Sequence, residues 1–252
     1  MTGTASGIGA ATKARLEASG ARVIGVDVHD ADVVADLSTA DGARAAVEAV
    51  LAAADGRLDG FVPCAGVGGT GTPALTVGLN YFSVLALLAG LRPALARGED
   101  PAVVLISSFA TTTTQRLTDA DIDVYLAGDQ QAAVDHFADT GYLAYPAGKC
   151  ALAYWMRMNS ADWMADGIRL NAVAPGVIET GMTTPLKDIP GVAEALAQIP
   201  IPVGRWGRAD EVAAAITFLL STESSYVLGQ TLFVDGGTDA QLNPKGHPAP
   251  GR

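Results

Sequence analysis

The chain has 252 residues, 49% of them hydrophobic, enough to bury one sizeable core without dividing into two domains. Its 27 acidic residues outnumber 16 basic ones, giving a formal charge of -11, and no Lys/Arg run interrupts the excess; nucleic acid and anionic membrane are excluded as expected partners, and a small neutral molecule is favoured. Cys64 and Cys150 stand far apart in no CxxC arrangement, and His29, His136 and His247 lack ligand spacing, so neither a disulfide framework nor a metal is expected.

Short β-branched runs alternate with longer Ala-rich segments at helical spacing, the pattern of βαβ units. The expected fold class is α/β, a doubly wound parallel (Rossmann) sheet in one domain over residues 1–243. In chain order, a helix starts near Gly7, a strand covers 22–27, a short strand lies near Val33, a helix starts near Thr39 and a strand covers 60–63. A helix follows from Pro73, with the apolar stretch 75–91 interrupted by Asn80 and Ser83. That stretch falls short of the ~20 residues of a bilayer span, so it is expected to be buried. A strand at 102–107 precedes a polar run at 111–114, a mixed segment at 117–128 and a short acidic helix at 129–137. The last elements are a helix from Tyr145, a strand at 168–173, helices from Gly191 and Ala209, and a strand at 231–234. The tail 244–252 has too little apolar surface to order by itself. No basic stretch leads into an apolar run at the N-terminus, so a cytoplasmic protein is expected.

The loop Gly3-Thr4-Ala5-Ser6-Gly7-Ile8-Gly9 leads into an Ala-rich helix whose first-turn N–H groups and dipole suit a pyrophosphate. Such a loop ordinarily follows a strand, yet only Met1 and Thr2 stand before it here. The expectation is that the first strand is largely missing, through a start placed roughly six to eight residues too far downstream or through trimming of the chain. The run 21–26 is a short buried strand ending at Asp27, where a carboxylate binds ribose hydroxyls and repels a 2′-phosphate. NAD is therefore expected over NADP.

Exchange of hydride with an alcohol needs a group that takes and returns the hydroxyl proton. Lys149 lies one helical turn beyond Tyr145, so ammonium and phenol are expected on one face, the cation favouring the phenolate; Tyr142 is two turns away. Pro146 is expected to place Tyr145 at the start of its helix. Ser108 ends an apolar strand, where doubly wound sheets bind ligands, and its hydroxyl suits a developing alkoxide; Ser107 should face the other way. Asn80, a polar amide inside an apolar helix, must have its hydrogen bonds met.

The glycine loop, Asp36-Leu37, Cys64-Ala65-Gly66, Asn80, Ser107-Ser108, Tyr145-Pro146-Ala147-Gly148-Lys149 and Asn171-Ala172-Val173-Ala174-Pro175-Gly176 occur in that order. Together they resemble the classical short-chain dehydrogenase/reductase family over essentially the whole chain. The resemblance implies cofactor contacts from Gly3, Ser6, Gly7, Ile8, Gly9 and Asp27, with Asp36 and Leu37 at the adenine and Cys64, Ala65 and Gly66 at the ribose. It implies Tyr145, Lys149, Pro175, Gly176, Ile178 and Thr180 around the nicotinamide, and Asn80, Ser108, Tyr145 and Lys149 as the catalytic set, with Asn80 fixing a water at a helix distortion. Where the family has Asn-Asn-Ala-Gly this chain has Pro63-Cys64-Ala65-Gly66, and Cys64 is read as packing.

About 36 residues separate Ser108 from Tyr145, roughly two dozen beyond the family's usual length. Together with the segments at 25–27, 34–40 and 80–82, this resembles the bacterial hydroxysteroid-active branch. There a comparable helical insertion, here about 111–139, blocks one subunit interface, which implies a homodimer. The loop 179–200, with Met182, Leu186, Ile189 and Ile199, has the makeup of a substrate lid. An apolar cyclic alcohol or ketone, such as a steroid or terpenoid, is expected. A 3-oxoacyl-thioester reductase and a catalytically silent dinucleotide-binding protein are the rival readings.

Overall fold

A computed structural model describes residues 1–69, 71–189 and 191–246, with Pro185 and Leu186 described by backbone alone. His247, the end of the tail and the Leu186 side chain therefore lie outside the described residues. The first half contains α1 (Gly7–Ala18), β1 (Val26–Asp27), β2 (Val33–Val34), α2 (Ala40–Ala53), β3 (Gly60–Phe61), α3 (Pro73–Val77), a π-helical turn (Gly78–Phe82), α4 (Ser83–Leu95) and β4 (Ala102–Ile106). The insertion forms α5 (Ala110–Thr113), α6 (Asp119–Leu126) and α7 (Gln130–His136). Then come α8 (Gly141–Ala165), β5 (Arg169–Pro175), β6 (Ile178–Glu179), a 3-10 turn (Thr184–Asp188), α9 (Val192–Ala197), β7 (Gly207–Arg208), α10 (Ala209–Leu220), β8 (Thr231–Val234) and α11 (Thr238–Leu242).

The strands β3-β4-β5-β8 form a parallel sheet and β1-β2 a parallel pair. Thr2 joins them, bridging to Val26 on one side and Pro63 on the other, both in parallel sense. The expected doubly wound sheet is thus formed, with its middle position held by the first residues of the chain. β4 and β5 are buried along their whole lengths, which is why they are nearly continuous in apolar residues. Alternate side chains feed two cores: Val103, Leu105 and Leu170 pack with Leu88, Leu91 and Met156, while Val104, Ile106 and Val173 pack with Val212 and Ile216.

Several boundaries differ from the sequence reading for physical reasons. The strand expected at 22–27 forms a ladder only at Val26 and Asp27, because its inner edge meets Met1 and Thr2 over just the last few residues. Similarly, the strand at 60–63 shortens to Gly60–Phe61. The helix expected to open at Tyr145 opens at Gly141, with Leu143 N–H donating to Thr140 O at 2.8 Å. Tyr145 therefore sits in the second turn and Pro146 inside the helix, where the proline forgoes one backbone bond. The segment Pro73–Leu95 is long and apolar enough by composition to cross a membrane, with a mean hydropathy of 1.8, yet 56% of that window is buried inside the protein. It is the core helix expected, with Val77, Tyr81, Leu88 and Leu91 almost fully enclosed.

The insertion is helical, as anticipated. Its α6, not foreseen, is capped reciprocally by Thr118 and Asp121, and His136 Nε2 lies 2.8 Å from Asp121 Oδ1, tying α6 to α7. Tyr125 packs among Tyr81, Phe82 and Phe137 and donates its hydroxyl to Ala144 O at 2.7 Å. Gly148 makes this docking possible, since a Cβ there would stand 3.1 Å from the Tyr125 oxygen.

Candidate active site

A cleft of about 610 Å³ opens at the carboxyl ends of the strands. It is lined by Gly3, Ser6, Gly7, Ile8, Gly9, Asp27, Asp36, Leu37, Cys64, Ala65, Gly66, Ser108, Tyr145, Lys149, Pro175, Gly176, Ile178 and Thr180. Every expected site residue except Asn80 therefore lines one surface, although they come from positions spread over most of the chain.

At one end the loop turns on Gly3, whose φ is +69° and where a Cβ would come 2.6 Å from the Ala65 nitrogen. Gly7 has φ +55° and faces Thr180. Ser6 occupies the N-cap of α1 without making a side-chain capping bond, so the first-turn N–H groups remain available to an anion. Asp27 Oδ2 accepts the Ala5 N–H at 2.9 Å and Oδ1 the Val28 N–H at 2.7 Å, which fixes the carboxylate at the rim beside the loop. Asp36 Oδ1 accepts from the backbone and hydroxyl of Ser38, bonds that lower its pKa. Burial pushes the Cys64 thiol up to about 11, consistent with packing rather than reactivity. A helix N-terminus with free donors and an acidic strand end about 20 residues on fit a dinucleotide with an unmodified ribose.

At the other end stand Ser108, Tyr145 and Lys149. Ser107 turns away, donating to Lys149 O at 3.1 Å, and leaves Ser108 facing the Tyr145 phenol. Lys149 is buried, and its Nζ donates to Ile106 O at 2.9 Å while lying 5.8 Å from the Tyr145 ring centre. Burial lowers the ammonium pKa to about 8. Tyr145 is raised above the ordinary phenol value by burial, and its contact with Ser108 offsets part of that rise. The Lys149 ammonium donates its hydrogen bond to the Ile106 carbonyl rather than to the phenol, and burial is the largest influence on the Tyr145 hydroxyl.

Asn80 lies behind the cleft wall within the π-helical turn, the helix distortion anticipated for it. Its Oδ1 accepts the Val67 N–H at 2.9 Å and its Nδ2 donates to Val67 O at 2.9 Å. A Cβ on Gly66 would come 2.7 Å from that Oδ1, so the glycine admits the clamp. Both ends of the amide are therefore used on the protein backbone, a positioning arrangement the sequence reading did not contain.

Sequence reasoning also missed Thr2, buried under the loop, whose Oγ1 accepts the Ala65 N–H at 3.0 Å. It did not identify Val67, Leu75, Leu79, Phe109 and Leu196, which make an apolar wall with the Met182 foreseen for the lid. The glycine-rich run after Cys64 was the available signal for a loop pressed against the site. In the segment after Thr180, Gly181, Met182 and Thr183 and, from α9, Leu196 line the cleft, and Lys187 Nζ lies 3.9 Å from the Trp206 ring centre and 3.5 Å from Glu179.

A parallel sheet, a dinucleotide-type loop and a Ser-Tyr-Lys set in one cleft define a nicotinamide-dependent oxidoreductase class, and the chain belongs to the short-chain dehydrogenase/reductase family. A family model described as enoyl-(acyl carrier protein) reductase matches residues 131–239. The chain is 39% identical over 249 residues, 97% of each chain, to the 3-alpha-hydroxysteroid dehydrogenase/carbonyl reductase of Comamonas testosteroni. It is 30% identical over 247 residues, 94% of each chain, to a coniferyl-alcohol dehydrogenase of Pseudomonas sp.. Among solved structures, the 3-alpha-hydroxysteroid dehydrogenase of Pseudomonas sp. B-0831 complexed with NADH superposes with a TM-score of 0.93, 44% identity and 97% coverage of each chain.

Proposed function

We propose that this protein is an NAD-dependent oxidoreductase that interconverts a secondary alcohol and its ketone on an apolar cyclic substrate of the 3α-hydroxysteroid or terpenoid kind. The observation that carries the reading is the convergence of Ser108, Tyr145 and Lys149 on the cleft that Asp27 and the uncapped start of α1 also line. The names of the relatives, a hydroxysteroid dehydrogenase and an NADH complex among them, agree with it.

Bound NAD supplies the hydride acceptor, and NADH the donor. The loop from Gly3 to Gly9 and the first turn of α1 hold the pyrophosphate, and Asp27 holds the adenosine ribose, flanked by Asp36, Leu37 and Cys64 to Gly66. Pro175, Gly176, Ile178 and Thr180 hold the nicotinamide end. Ser108 donates a hydrogen bond to the substrate oxygen and stabilises charge forming there. Tyr145 gives its proton to that oxygen in reduction and takes it back in oxidation. Lys149, with a pKa near 8, stands where a proton can be replenished, and Asn80 holds the Val67 segment of the wall in place. The segment 179–200 acts as the lid and excludes water.

The wall from Val67 to Leu196 offers no charged group to a substrate, which suits an uncharged ring system. Packing of the insertion onto α8 covers a helix face that would otherwise be open to another subunit, in favour of a homodimer. Free Cys64 and Cys150 suit the reducing cytoplasm. Asp27 argues against the NADP preference of a 3-oxoacyl-thioester reductase, and the intact catalytic set against a silent binding protein. The test is a spectrophotometric panel of steroid, monoterpene and simple cyclic alcohols with NAD and NADP in parallel. Turnover of cyclic substrates with NAD is expected; activity confined to acyl thioesters with NADP would overturn the reading.

A further inference from the structure

The segment that leaves β6 turns back on itself at Thr180. The Thr183 and Thr184 N–H groups donate to Thr180 O at 3.2 and 2.9 Å, and this turn brings the Thr183 hydroxyl back beside Thr180. Thr183 Oγ1 accepts the Thr180 N–H at 3.1 Å, lies 3.1 Å from Thr180 Oγ1 and is hydrogen-bonded to Ile178 O. A side chain that reaches back to the N–H three residues earlier is an ordinary way to close a helical turn. The contact with the Thr180 hydroxyl is not needed for that closure, and both threonines line the cleft.

A hydroxyl has one proton and two lone pairs, so the direction of each bond follows by count. Thr183 faces two carbonyls, Ile178 O close by and Thr180 O at 3.4 Å, and a carbonyl only accepts. The single Thr183 proton therefore goes to Ile178 O, which β6 holds in place through its pairing with β7. The two Thr183 lone pairs receive the Thr180 N–H and, by elimination, the Thr180 O–H. Rotation of Thr180 away from this bond is restrained, because the residue is β-branched and its methyl packs toward Gly7, where a Cβ would stand 3.4 Å from it. With its proton committed to Thr183, the Thr180 oxygen offers the cleft lone pairs alone.

We propose that Thr183 is a positioning residue for the cofactor: it fixes Thr180 as a hydrogen-bond acceptor, so that the site takes the amide –NH2 of the nicotinamide and discriminates against a group of the same shape that lacks this donor. The inference rests on the assignment of Thr180 to the nicotinamide end under the proposed function, and adds to it a second residue and a sense for the bond. Thr183 also opens the lid segment, so the same hydroxyl ties the first turn of the lid to the ring that exchanges hydride.

The test compares binding of NADH with that of reduced 3-acetylpyridine adenine dinucleotide, in which a methyl group replaces the amide –NH2, by calorimetric titration of the parent, Thr183→Val and Thr183→Ser without substrate. The parent is expected to favour NADH by about tenfold, the effect of one hydrogen bond lost at a fixed acceptor. Valine keeps the branched shape and removes the hydroxyl, which leaves Thr180 free to donate or to accept, and the ratio is expected to fall to about threefold or less. Serine keeps the hydroxyl and is expected to restore the ratio of the parent. An unchanged ratio in Thr183→Val with both cofactors bound overturns the proposal, as does a ratio in Thr183→Ser as low as that of the valine variant. A parallel loss of affinity for both cofactors confines Thr183 to closing the turn and overturns it too. A parent that binds neither cofactor overturns the reading of the cleft itself, and this proposal with it.

Discussion

Replacing Lys149 with Met separates the stability of the fold from the chemistry of the site. Burial brings the amine from 10.5 to about 8. At about 1.4 kcal/mol for each tenfold change in proton affinity, keeping the ammonium charged inside the folded protein costs about 3 kcal/mol at neutral pH. The sign follows from the unfolded chain binding the proton more tightly. The cost is fully present below pH 8 and is relieved as pH rises from about 8 to about 10.5, so stability increases across that window. Methionine removes the charge and forfeits the bond to Ile106 O, worth about 1 kcal/mol. The ligand-free variant should therefore be more stable by about 2 kcal/mol near pH 7, and the gain should vanish near pH 10. Urea unfolding of both proteins at the two pH values measures this, while turnover of the variant should be lost. A variant less stable than the parent near pH 7, or equally favoured at both pH values, would refute the burial argument.

Other substitutions probe the parts around this pair. Asn80→Ala leaves the Val67 N–H and carbonyl unpaired inside the wall and should cost about 2–3 kcal/mol in urea unfolding, with a matching rise in KM as the wall loosens. Asp27→Asn should narrow the preference for NAD over NADP by at least about tenfold in kcat/KM; an unchanged ratio would remove Asp27 from cofactor choice. Tyr125→Phe deletes the bond to Ala144 O and should lower stability by about 1 kcal/mol and the midpoint by about 2–4 °C, read by calorimetry. Lys187→Ala frees the lid from Trp206 and should quicken release of NADH in stopped-flow fluorescence, and equal release rates would show that the contact does not restrain the lid.

The parallel sheet and most of the cleft were legible in the sequence, because strand-end chemistry and buried apolar runs are local signals. Asp27, Ser108 and Tyr145 could be placed from the residues immediately around them. What escaped depends on contacts between distant segments. Asn80 was readable as a polar residue needing partners, but not that both partners belong to Val67. Helix α6 was hidden by its mixture of acids and apolar residues, although Thr118 and Asp121 form its cap. The start of α8 at Gly141 was masked by Pro146, which marks a first helical turn more often than a second. The partner of the Lys149 amine could not be read from spacing, since i, i+4 geometry fixes a shared face but not that the amine donates to Ile106 O.

The most direct test of the whole account is Tyr145→Phe, with steady-state reduction of a cyclic ketone and fluorescence titration of NADH measured on the same preparation. Loss of the phenolic proton should lower turnover by about 10²–10⁴-fold while NADH binds nearly as before. Turnover equal to that of the parent, with NADH still bound, would show that another group moves the proton and that the cleft has been assigned the wrong chemistry.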